Sequence, residues 1–468
     1  MKKNGVSLLI PVENQVRELD PKLLLACVAA RRGFPSIIGP RREMHLKIAT
    51  FPRGVYLSKS LTSSSFKIFR IMQMLGHEIV AWDEEALVHP PPATYFTRRL
   101  SPLAIKYVSH LFAWGQENAE LWRLYPDMPA ELPIHITGNP RGDLLRPGLR
   151  SFYGQEVEGL RRAHGDFILI NTNYNHVNGF YPILNLFVSE TPAGEDPRFG
   201  RAAKGMSYEY AEGLRAHKQA NFEQMKKLIP QLEQAFPDHT IVVRPHPTEN
   251  QQVYHDIAAR ATRVTVTNEG NVIPWLLASR VLIHNCCTTG VEAYALGVPA
   301  ITYRAYVDEE YDLGFYRLPN LLSHQAFDFT ELQALVGKIL AGEEDGAGDQ
   351  ERDRLLDGYL SARTGPLACE RMVDVLEQAL AGRTELPEPP WAKRMNGLYK
   401  TRIRRIKKWF RASQKGSHNR PEFQRHRYPG ISLEELQQRL QRFTEGLEPG
   451  AELSAEQLAA NFYRISAR

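Results

Sequence analysis

The sequence has few cysteines and no long apolar run. Its four cysteines form no metal-binding pattern, and the adjacent pair Cys286 and Cys287 is poorly spaced for a mutual disulfide. These features predict reduced thiols, as in a cytosolic protein. The longest apolar run, residues 23–30, is far shorter than the ~20 residues that span a bilayer, and no secretory signal pattern is present near residue 1. We therefore expect a cytoplasmic protein.

The composition is that of a globular chain. It has 468 residues, of which 43% are hydrophobic and 24% are charged, so disorder and fibrous repeats are excluded as the main class. This length exceeds one ordinary domain and suits two.

The net charge of +5 conceals an asymmetry. Residues 391–428 contain thirteen Lys or Arg and one acidic residue, Glu422, so this segment is about +12 and the remaining chain is about −7. The excess positive charge is local, and it indicates a partner for one segment rather than for the whole protein.

Short apolar runs alternate with amphipathic stretches in both halves of the chain, which is typical of parallel sheets covered by helices. We predict an α/β fold of two doubly wound Rossmann-like domains, residues 1–150 and 160–385, followed by a basic helical extension, residues 386–468. Within that extension, residues 433–447 and 453–463 are predicted to be helices. Residues 189–204, rich in Pro and Gly, are predicted to be a loop. The predicted strands are residues 7–12, 36–39, 55–58, 78–83, 110–115, 134–137, 167–171, 240–244, 264–266, 281–284 and 300–303.

Polar loops follow three predicted strands of the second half. Ligands bind beyond the carboxyl ends of strands in open parallel sheets, so these loops are expected to lie together. The residues concerned are Asn171, Asn173, Arg244, His246, Thr288, Thr289 and Gly290.

The loop at residues 288–290 has the features of an anion site. Two hydroxyls and free N–H groups at a helix start attract a phosphate, and Gly290 would let it approach the backbone. The alternative is that Thr288 or Thr289 only caps the helix.

The Arg-Pro-His-Pro run at residues 244–247 favours the phosphate interpretation. Two prolines make the strand exit rigid, Arg244 offers a fork for phosphate, and His246 can donate a hydrogen bond. The alternative is a turn with a solvated arginine and an internally bonded histidine.

Residues 244–247, 288–290, 292–293 and 297–299 together resemble the C-terminal half of GT-B glycosyltransferases. The combination is similar to bacterial transferases with cytidine-nucleotide donors: capsule Kdo transferases, polysialyltransferases and CDP-glycerol polymerases of teichoic acid synthesis. The resemblance implies that His246, Thr288 and Thr289 hold the donor phosphate. Residues 138–141 also look like the element that closes the N-terminal domain in these families.

Residues 11–20 and 80–85 resemble the bacterial surface carbohydrate biosynthesis proteins of capsule and O-antigen loci, over most of residues 5–340. One departure concerns retaining Kdo transferases, some of which place an Asp directly after the first strand of the C-terminal domain. Here that position reads Asn171, Thr172 and Asn173, which speaks against a covalent glycosyl-enzyme there. An asparagine can instead hydrogen-bond a sugar hydroxyl.

Glycosyl transfer also needs a base for the acceptor hydroxyl. Glu13, directly after the first strand, is the first candidate and Asp83 the second. The alternatives are a surface pair of Glu13 with Arg17, four residues on, and a capping role for the acidic run at residues 83–85. Glu269 and Glu292 are candidates to bind the nucleotide's ribose or base. There is no Asp-x-Asp motif, and we predict neither an essential metal nor a cofactor.

The basic segment contains one amphipathic stretch, residues 398–411, with apolar residues every three to four positions. It is suited to an anionic membrane surface. Nucleic acid would be attracted by the same charges, but no nucleic-acid-binding signature accompanies them. The third interpretation is a helix packed on the protein by its apolar stripe.

The sequence thus predicts a metal-independent GT-B glycosyltransferase, placed in the cytoplasm or peripherally at the inner face of the cytoplasmic membrane. Its partners would be a CMP-linked or other nucleotide sugar, a glycan or lipid-linked acceptor and an anionic membrane surface, but not nucleic acid. The alternatives are a non-hydrolysing UDP-sugar 2-epimerase, a CDP-polyol phosphotransferase and a non-catalytic protein with the same fold.

Overall fold

The computed structural model describes residues 5–188, 198–346, 348–381, 383–413 and 419–468. Most of the predicted loop at 189–204 lies outside these residues. The strands are β1 (Ser7–Val12), β2 (Ser36–Pro40), β3 (Gly54–Ser58), β4 (Glu78–Ala81), β5 (His110–Ala113), β6 (Ile134–Ile136), β7 (Phe167–Asn171), β8 (Thr240–Arg244), β9 (Val264–Val266), β10 (Val281–His284), β11 (Ala300–Tyr303), β12 (His324–Ala326), β13 (Leu453–Ala459) and β14 (Phe462–Ala467).

The α-helices connect these strands and form most of the C-terminal region. They are α1 (Gln15–Arg31), α2 (Arg41–Leu46), α3 (Phe66–Met74), α4 (Pro92–Arg99), α5 (Pro102–Ile105), α6 (Gln116–Arg123), α7 (Pro140–Asp143), α8 (Gly154–His164), α9 (Tyr208–Ala235), α10 (Gln252–Ala258), α11 (Val272–Ala278), α12 (Thr288–Leu296), α13 (Glu309–Leu321), α14 (Phe329–Ala341), α15 (Gln350–Tyr359), α16 (Ala368–Ala379), α17 (Trp391–Ala412), α18 (Pro421–Arg427) and α19 (Leu433–Gly446). Among the described helices, none is long and apolar enough to cross a membrane.

The described residues form two compact units. The first contains those of Met1–Leu87, Arg99–Phe152 and Asp357–Arg468, and the second those of Val88–Arg98 and Tyr153–Leu356.

The sheet of the first unit has the order β13-β14-β2-β1-β3-β4-β5-β6. Strands β1 to β6 are parallel, and β14 pairs antiparallel with β2. The order changes direction between β1 and β3, which is where doubly wound sheets place ligands. Every residue of β1 is buried, as expected for a central parallel strand.

The sheet of the second unit is wholly parallel, with the order β12-β11-β10-β7-β8-β9. This is the Rossmann order, and its switch point lies between β7 and β10. Its core packs the apolar strands against α9 and α14, with Ile170, Val243 and Ile283 fully buried. The predicted α/β class, with two Rossmann-like units and a largely helical C-terminal region, is confirmed.

The division of the chain differs from the predicted boundaries, because residues 357–468 belong to the first unit. One reason is visible at α16, whose first turn is capped by a distant carboxylate. Asp143 accepts hydrogen bonds from the N–H groups of Ala368 (2.7 Å) and Cys369 (2.9 Å). The start of α16 is therefore bonded to α7 of the first unit.

The predicted helix at residues 453–463 is wrong, because this stretch forms β13 and the start of β14. The hairpin covers the edge of β2, which would otherwise expose unpaired backbone groups. Phe462 and Tyr463 are buried there, and the turn residue Asn461 has a φ of 61°, a conformation that Asn tolerates.

Candidate functional site

Three strands of the second sheet end in polar side chains at the same level. Asn171 at the end of β7 is in register with His284 of β10 on one side and with Arg244 of β8 on the other. These are the carboxyl ends of the strands, and they flank the switch point of this sheet. The sequence prediction that the loops after these strands lie together is consistent with this register.

Asn171 is the least satisfied of these groups. Its side chain is 3% exposed, yet neither its Oδ1 nor its Nδ2 has a hydrogen-bond partner among the described residues. Asn285, directly after β10, donates from Nδ2 to the Tyr303 carbonyl (3.0 Å) while its buried Oδ1 has no partner among those residues. A buried amide without partners costs free energy and calls for a ligand or water at that position.

Helix α12 begins three residues after Asn285. Its N-cap is Cys287, which supplies no side-chain cap, and Thr288 and Thr289 are the first two helical residues. The N–H groups of a first helical turn have no partner inside the helix, and they are the positive end of its dipole. The alternative in which Thr288 or Thr289 caps the helix is therefore wrong.

The structure shows why position 290 requires a glycine, and the sequence did not suggest this requirement. A Cβ added at Gly290 would lie 2.5 Å from Nε2 of the buried His284. That histidine accepts a hydrogen bond from the Cys287 N–H at Nδ1 (3.2 Å), and its Nε2 lies 2.8 Å from Ser323 Oγ. Burial lowers the pKa of His284 to about 3, so its ring is neutral. Gly290 makes room for this ring at the helix start.

His246 is held by the loop that follows β8. Its Nδ1 accepts a hydrogen bond from the Thr248 N–H (3.2 Å) and lies 2.8 Å from Thr248 Oγ1. Because Nδ1 is an acceptor, a neutral ring carries its proton on Nε2. In that tautomer, Nε2 is the ring nitrogen of the half-buried His246 that donates hydrogen bonds.

A buried carboxylate that the sequence analysis missed connects the first two loops. Glu249 Oε1 accepts from Thr172 Oγ1 (2.9 Å), the Tyr174 N–H (3.0 Å) and the His246 N–H (3.2 Å). Burial raises the pKa of Glu249. Glu249 lies in the loop between β8 and α10, where the sequence has no helix or strand periodicity that would have identified it as a buried residue.

Arg244 does not present its fork to an open anion site in this structure. Its guanidinium lies over the Trp275 ring (4.7 Å to the centroid) and donates to the carbonyls of Glu269 (2.8 Å) and Gly270 (3.2 Å). Burial lowers its pKa to about 10. Arg244 therefore stabilises the loop between β9 and α11, and the Glu269 side chain on that loop is exposed.

The remaining predicted donor-side residues are Asn173 and Glu292. Asn173 donates from Nδ2 to the Cys286 carbonyl (3.4 Å), which joins the β7 loop to the β10 loop. Cys286 has a φ of 51°, an uncommon conformation for a residue other than glycine. Glu292 is buried on α12.

Lys218 of α9 is a second residue that the sequence analysis missed. Its side chain is fully buried, and its positive charge opposes protonation of the nearby His176. Burial and this charge together lower the pKa of His176 to about 3. The same charge counteracts the rise that burial causes in the pKa of the Cys286 thiol. The site therefore has a buried cation nearby, on a helix whose pattern gave no sign of it.

In the first unit, Glu13 lies just after β1 and is surrounded by cations. Its carboxylate oxygens are 2.8 Å from Arg41, 3.1 Å from Lys59 and 2.6 Å from Arg427. Burial alone would raise the pKa of Glu13, but these three charges lower it to about 2. A carboxylate with so low a pKa is a weak general base.

Asp83 is fully buried and is held by the guanidinium of Arg99, which donates to both carboxylate oxygens (2.9 Å for the Oδ2 contact). The predicted surface pair of Glu13 with Arg17 is wrong. Arg17 instead pairs with Glu85 at 3.1 Å, because the start of α1 faces the loop after β4. Both predicted bases are therefore ion-paired in this structure.

No protein-family model matches the chain, and no curated protein matches it. Several solved structures are similar at low identity. A variant of the wall teichoic acid polymerase TagF soaked with CDPG is 12% identical, with a TM-score of 0.49 over 82% of this chain and 92% of that one. The UDP-GlcNAc 2-epimerase of Methanocaldococcus jannaschii with UDP-GlcNAc and UDP is 11% identical, with a TM-score of 0.45 over 80% and 100%. Anabaena HepE with UDP and glucose is 12% identical, with a TM-score of 0.39 over 80% and 98%.

Proposed function

We propose that this protein is a glycosyltransferase of bacterial surface polysaccharide biosynthesis. It takes a nucleotide-activated sugar, with a CMP-linked sugar as the first choice, and transfers the sugar to a lipid-linked or growing polysaccharide acceptor. The observation that carries the proposal is the buried amide of Asn171, which has no hydrogen-bond partner among the described residues and is in register with His284, four residues before the uncapped start of α12. The motif resemblance of residues 244–247 and 288–290 supplies the reaction class.

The chemistry of this site suits the leaving group of glycosyl transfer. As the bond between the sugar and the phosphate breaks, negative charge accumulates on the phosphate oxygens. Preorganised donors lower the barrier to this step because they need no reorientation during the reaction. The donors in this proposal are the N–H groups and hydroxyls of Thr288 and Thr289 together with Nε2 of His246.

The predicted bases Glu13 and Asp83 are ion-paired, so the proposal rests on the phosphate site and not on either carboxylate. Among the described residues, no group of His, Cys, Asp and Glu side chains could hold a metal ion. The proposal assigns charge stabilisation to the helix start, the hydroxyls and the histidine.

Titration of the full chain with CMP, CDP and UDP tests the phosphate site. We expect one of these nucleotides to bind. The affinity for it should fall by roughly 10-fold or more in His246→Ala and in the double variant Thr288→Ala/Thr289→Ala, since hydrogen bonds to charged groups contribute ~1.5–3 kcal/mol. A matched control is Ser63→Ala/Ser64→Ala, which removes two exposed hydroxyls from a helical turn of the first unit and should leave affinity unchanged.

Unchanged affinity in both site variants would remove the proposed site. Incubation with a panel of nucleotide sugars then separates the reaction classes. Interconversion of a free UDP-sugar without any acceptor would favour the epimerase, and transfer of a polyol phosphate would favour the phosphotransferase.

A further inference from the structure

Helix α17 presents an apolar surface to solvent. Six large side chains on it are exposed, and Trp391, Trp409 and Phe410 reach 76%, 71% and 59% exposure. With 3.6 residues per turn, all six fall within an arc of about 100° on one side of the helix. We call this set the aromatic face, and its members are Trp391, Met395, Tyr399, Ile406, Trp409 and Phe410.

The opposite side of α17 attaches the helix to the first unit. Gly397 and Thr401 are buried, and a Cβ at Gly397 would lie 3.0 Å from Cβ of Met74 in α3. Thr401 donates to the Gly397 carbonyl (2.9 Å). The half-buried Lys408 is also on this side, and it donates to Asn419 (2.8 Å). The interpretation of a helix packed by its apolar stripe holds only in part, because Leu398 and Ile403 are half-buried whereas Ile406, Trp409 and Phe410 are exposed.

Positive charge surrounds the aromatic face. Helix α17 contains nine Lys or Arg and no acidic residue. The exposed ones among them are Lys393, Arg394, Arg402, Arg405, Lys407 and Arg411. Such long side chains can place their charges in a polar layer while their stems lie along apolar surface.

We propose that α17 docks this protein on the surface of an anionic lipid bilayer. The aromatic face enters the boundary between headgroups and acyl chains, where the rings of Trp and Tyr are favoured, and the flanking basic residues meet lipid phosphates. Charge complementarity selects an anionic surface, since no carboxylate on the helix repels it. Duplex nucleic acid would engage the charges but leave Met395 and Ile406 in water.

This inference does not depend on the donor site of the second unit. It adds a location to the proposed function, since an acceptor carried on a lipid is presented at such a surface. Each basic residue near the surface strengthens binding by about five-fold, so several together hold the chain there.

Sedimentation of the full chain with lipid vesicles tests the proposal. We expect binding to vesicles of phosphatidylcholine mixed with phosphatidylglycerol, no binding to phosphatidylcholine alone, and weaker binding as salt is raised. Trp409→Ala/Phe410→Ala should reduce binding at least 10-fold, and Arg405→Glu/Lys407→Glu should reduce it as strongly. All four side chains are exposed, so the melting temperature should stay unchanged.

The matched control is Phe180→Ala/Tyr181→Ala in the second unit. This is also an adjacent, exposed aromatic pair in edge-to-face contact, with ring centroids 4.8 Å apart against 4.9 Å for Trp409 and Phe410. It should bind vesicles as the unaltered chain does. The proposal is overturned by absence of binding to anionic vesicles, by equal binding to neutral ones, or by full binding of both α17 variants. Binding to duplex RNA without binding to vesicles would overturn it as well.

Discussion

At the scale of single residues, a buried histidine explains the glycine at the start of α12. The ring of His284 lies against Gly290, and it is fixed there by the Cys287 N–H and by Ser323. The helix can therefore begin four residues after His284, which pairs with Asn171 at the switch point of the sheet. A larger residue at position 290 would displace either the ring or the helix start.

We predict that Gly290→Ala destabilises the protein by about 1–3 kcal/mol, because the added Cβ has no space beside His284. Urea unfolding monitored by circular dichroism measures this. Gly337→Ala is the control, since a Cβ at this glycine of α14 meets nothing within 4 Å. Replacing an unrestrained helix glycine should stabilise by up to about 1 kcal/mol. Equal effects at both sites would contradict the account of Gly290.

Glu13 gives a prediction about pH. Its pKa is lowered from 4.5 to about 2 in the folded state, so it stabilises the fold above pH 4.5, and this contribution is lost as the pH falls through 2. We expect Glu13→Gln to cost up to roughly 3 kcal/mol at neutral pH, and the difference from the unaltered chain to shrink towards pH 2. Denaturant unfolding at several pH values tests this, and a difference that is independent of pH would refute it.

At the scale of elements, the C-terminal hairpin shows where local pattern loses to tertiary context. Residues 453–463 have an apolar spacing compatible with a short helix, yet β14 is required along the edge of β2. Phe462 lies against Gly39 there, since a Cβ on that glycine would be within 2.4 Å of the ring. The turn residue Asn461 was the available sign of a hairpin.

We predict that Phe462→Ala lowers the free energy of unfolding by about 3–5 kcal/mol, because it removes a fully buried ring between two strands. Leu458→Ala on the same hairpin is the control, since that side chain is exposed, and it should change stability by less than about 0.5 kcal/mol. Chemical denaturation of the two variants decides. A Phe462→Ala variant as stable as the control would mean that the hairpin does not pack as described.

The strands of both sheets were largely predictable, because central parallel strands are buried on both faces and read as apolar runs. The register of Asn171 with Arg244 and His284 agrees with the carboxyl-edge rule. The partners of Arg244 and Glu13 could not be predicted from the sequence. Arg244 bonds to backbone carbonyls of another loop, and Glu13 bonds to Arg427, which is 414 residues away. Side-chain patterns within a segment contain no information about such partners.

At the scale of the whole molecule, the chain returns to its first unit after completing the second. Helix α16 packs on α1, α17 packs on α3, and β14 extends the first sheet. The first unit therefore needs residues from both ends of the sequence, whereas the second is built almost entirely from one continuous stretch.

We predict that a chain ending at Leu356 keeps the second unit folded and loses the first. Its α1 would lack α16 and α19, and the edge of β2 would be uncovered. Hydrogen exchange measures this residue by residue: the amides of β7 should remain protected, and those of β1 should exchange rapidly. Equal protection of both strands would contradict the assignment of residues 357–468 to the first unit.

The central claim is that the switch point of the second sheet binds the phosphate of a nucleotide. Calorimetric titration of CMP, CDP and UDP into Asn171→Asp tests it most directly, because this change keeps the shape of the side chain but replaces the amide donor with a carboxyl group, which repels a phosphate when it is ionised. Asn396→Asp makes the same change at an exposed position of α17. The account predicts that Asn171→Asp binds the nucleotide at least about tenfold more weakly than the unaltered chain. The affinity of Asn396→Asp should equal that of the unaltered chain within error. Equal affinity of Asn171→Asp and the unaltered chain, or no nucleotide binding by the unaltered chain, would contradict it.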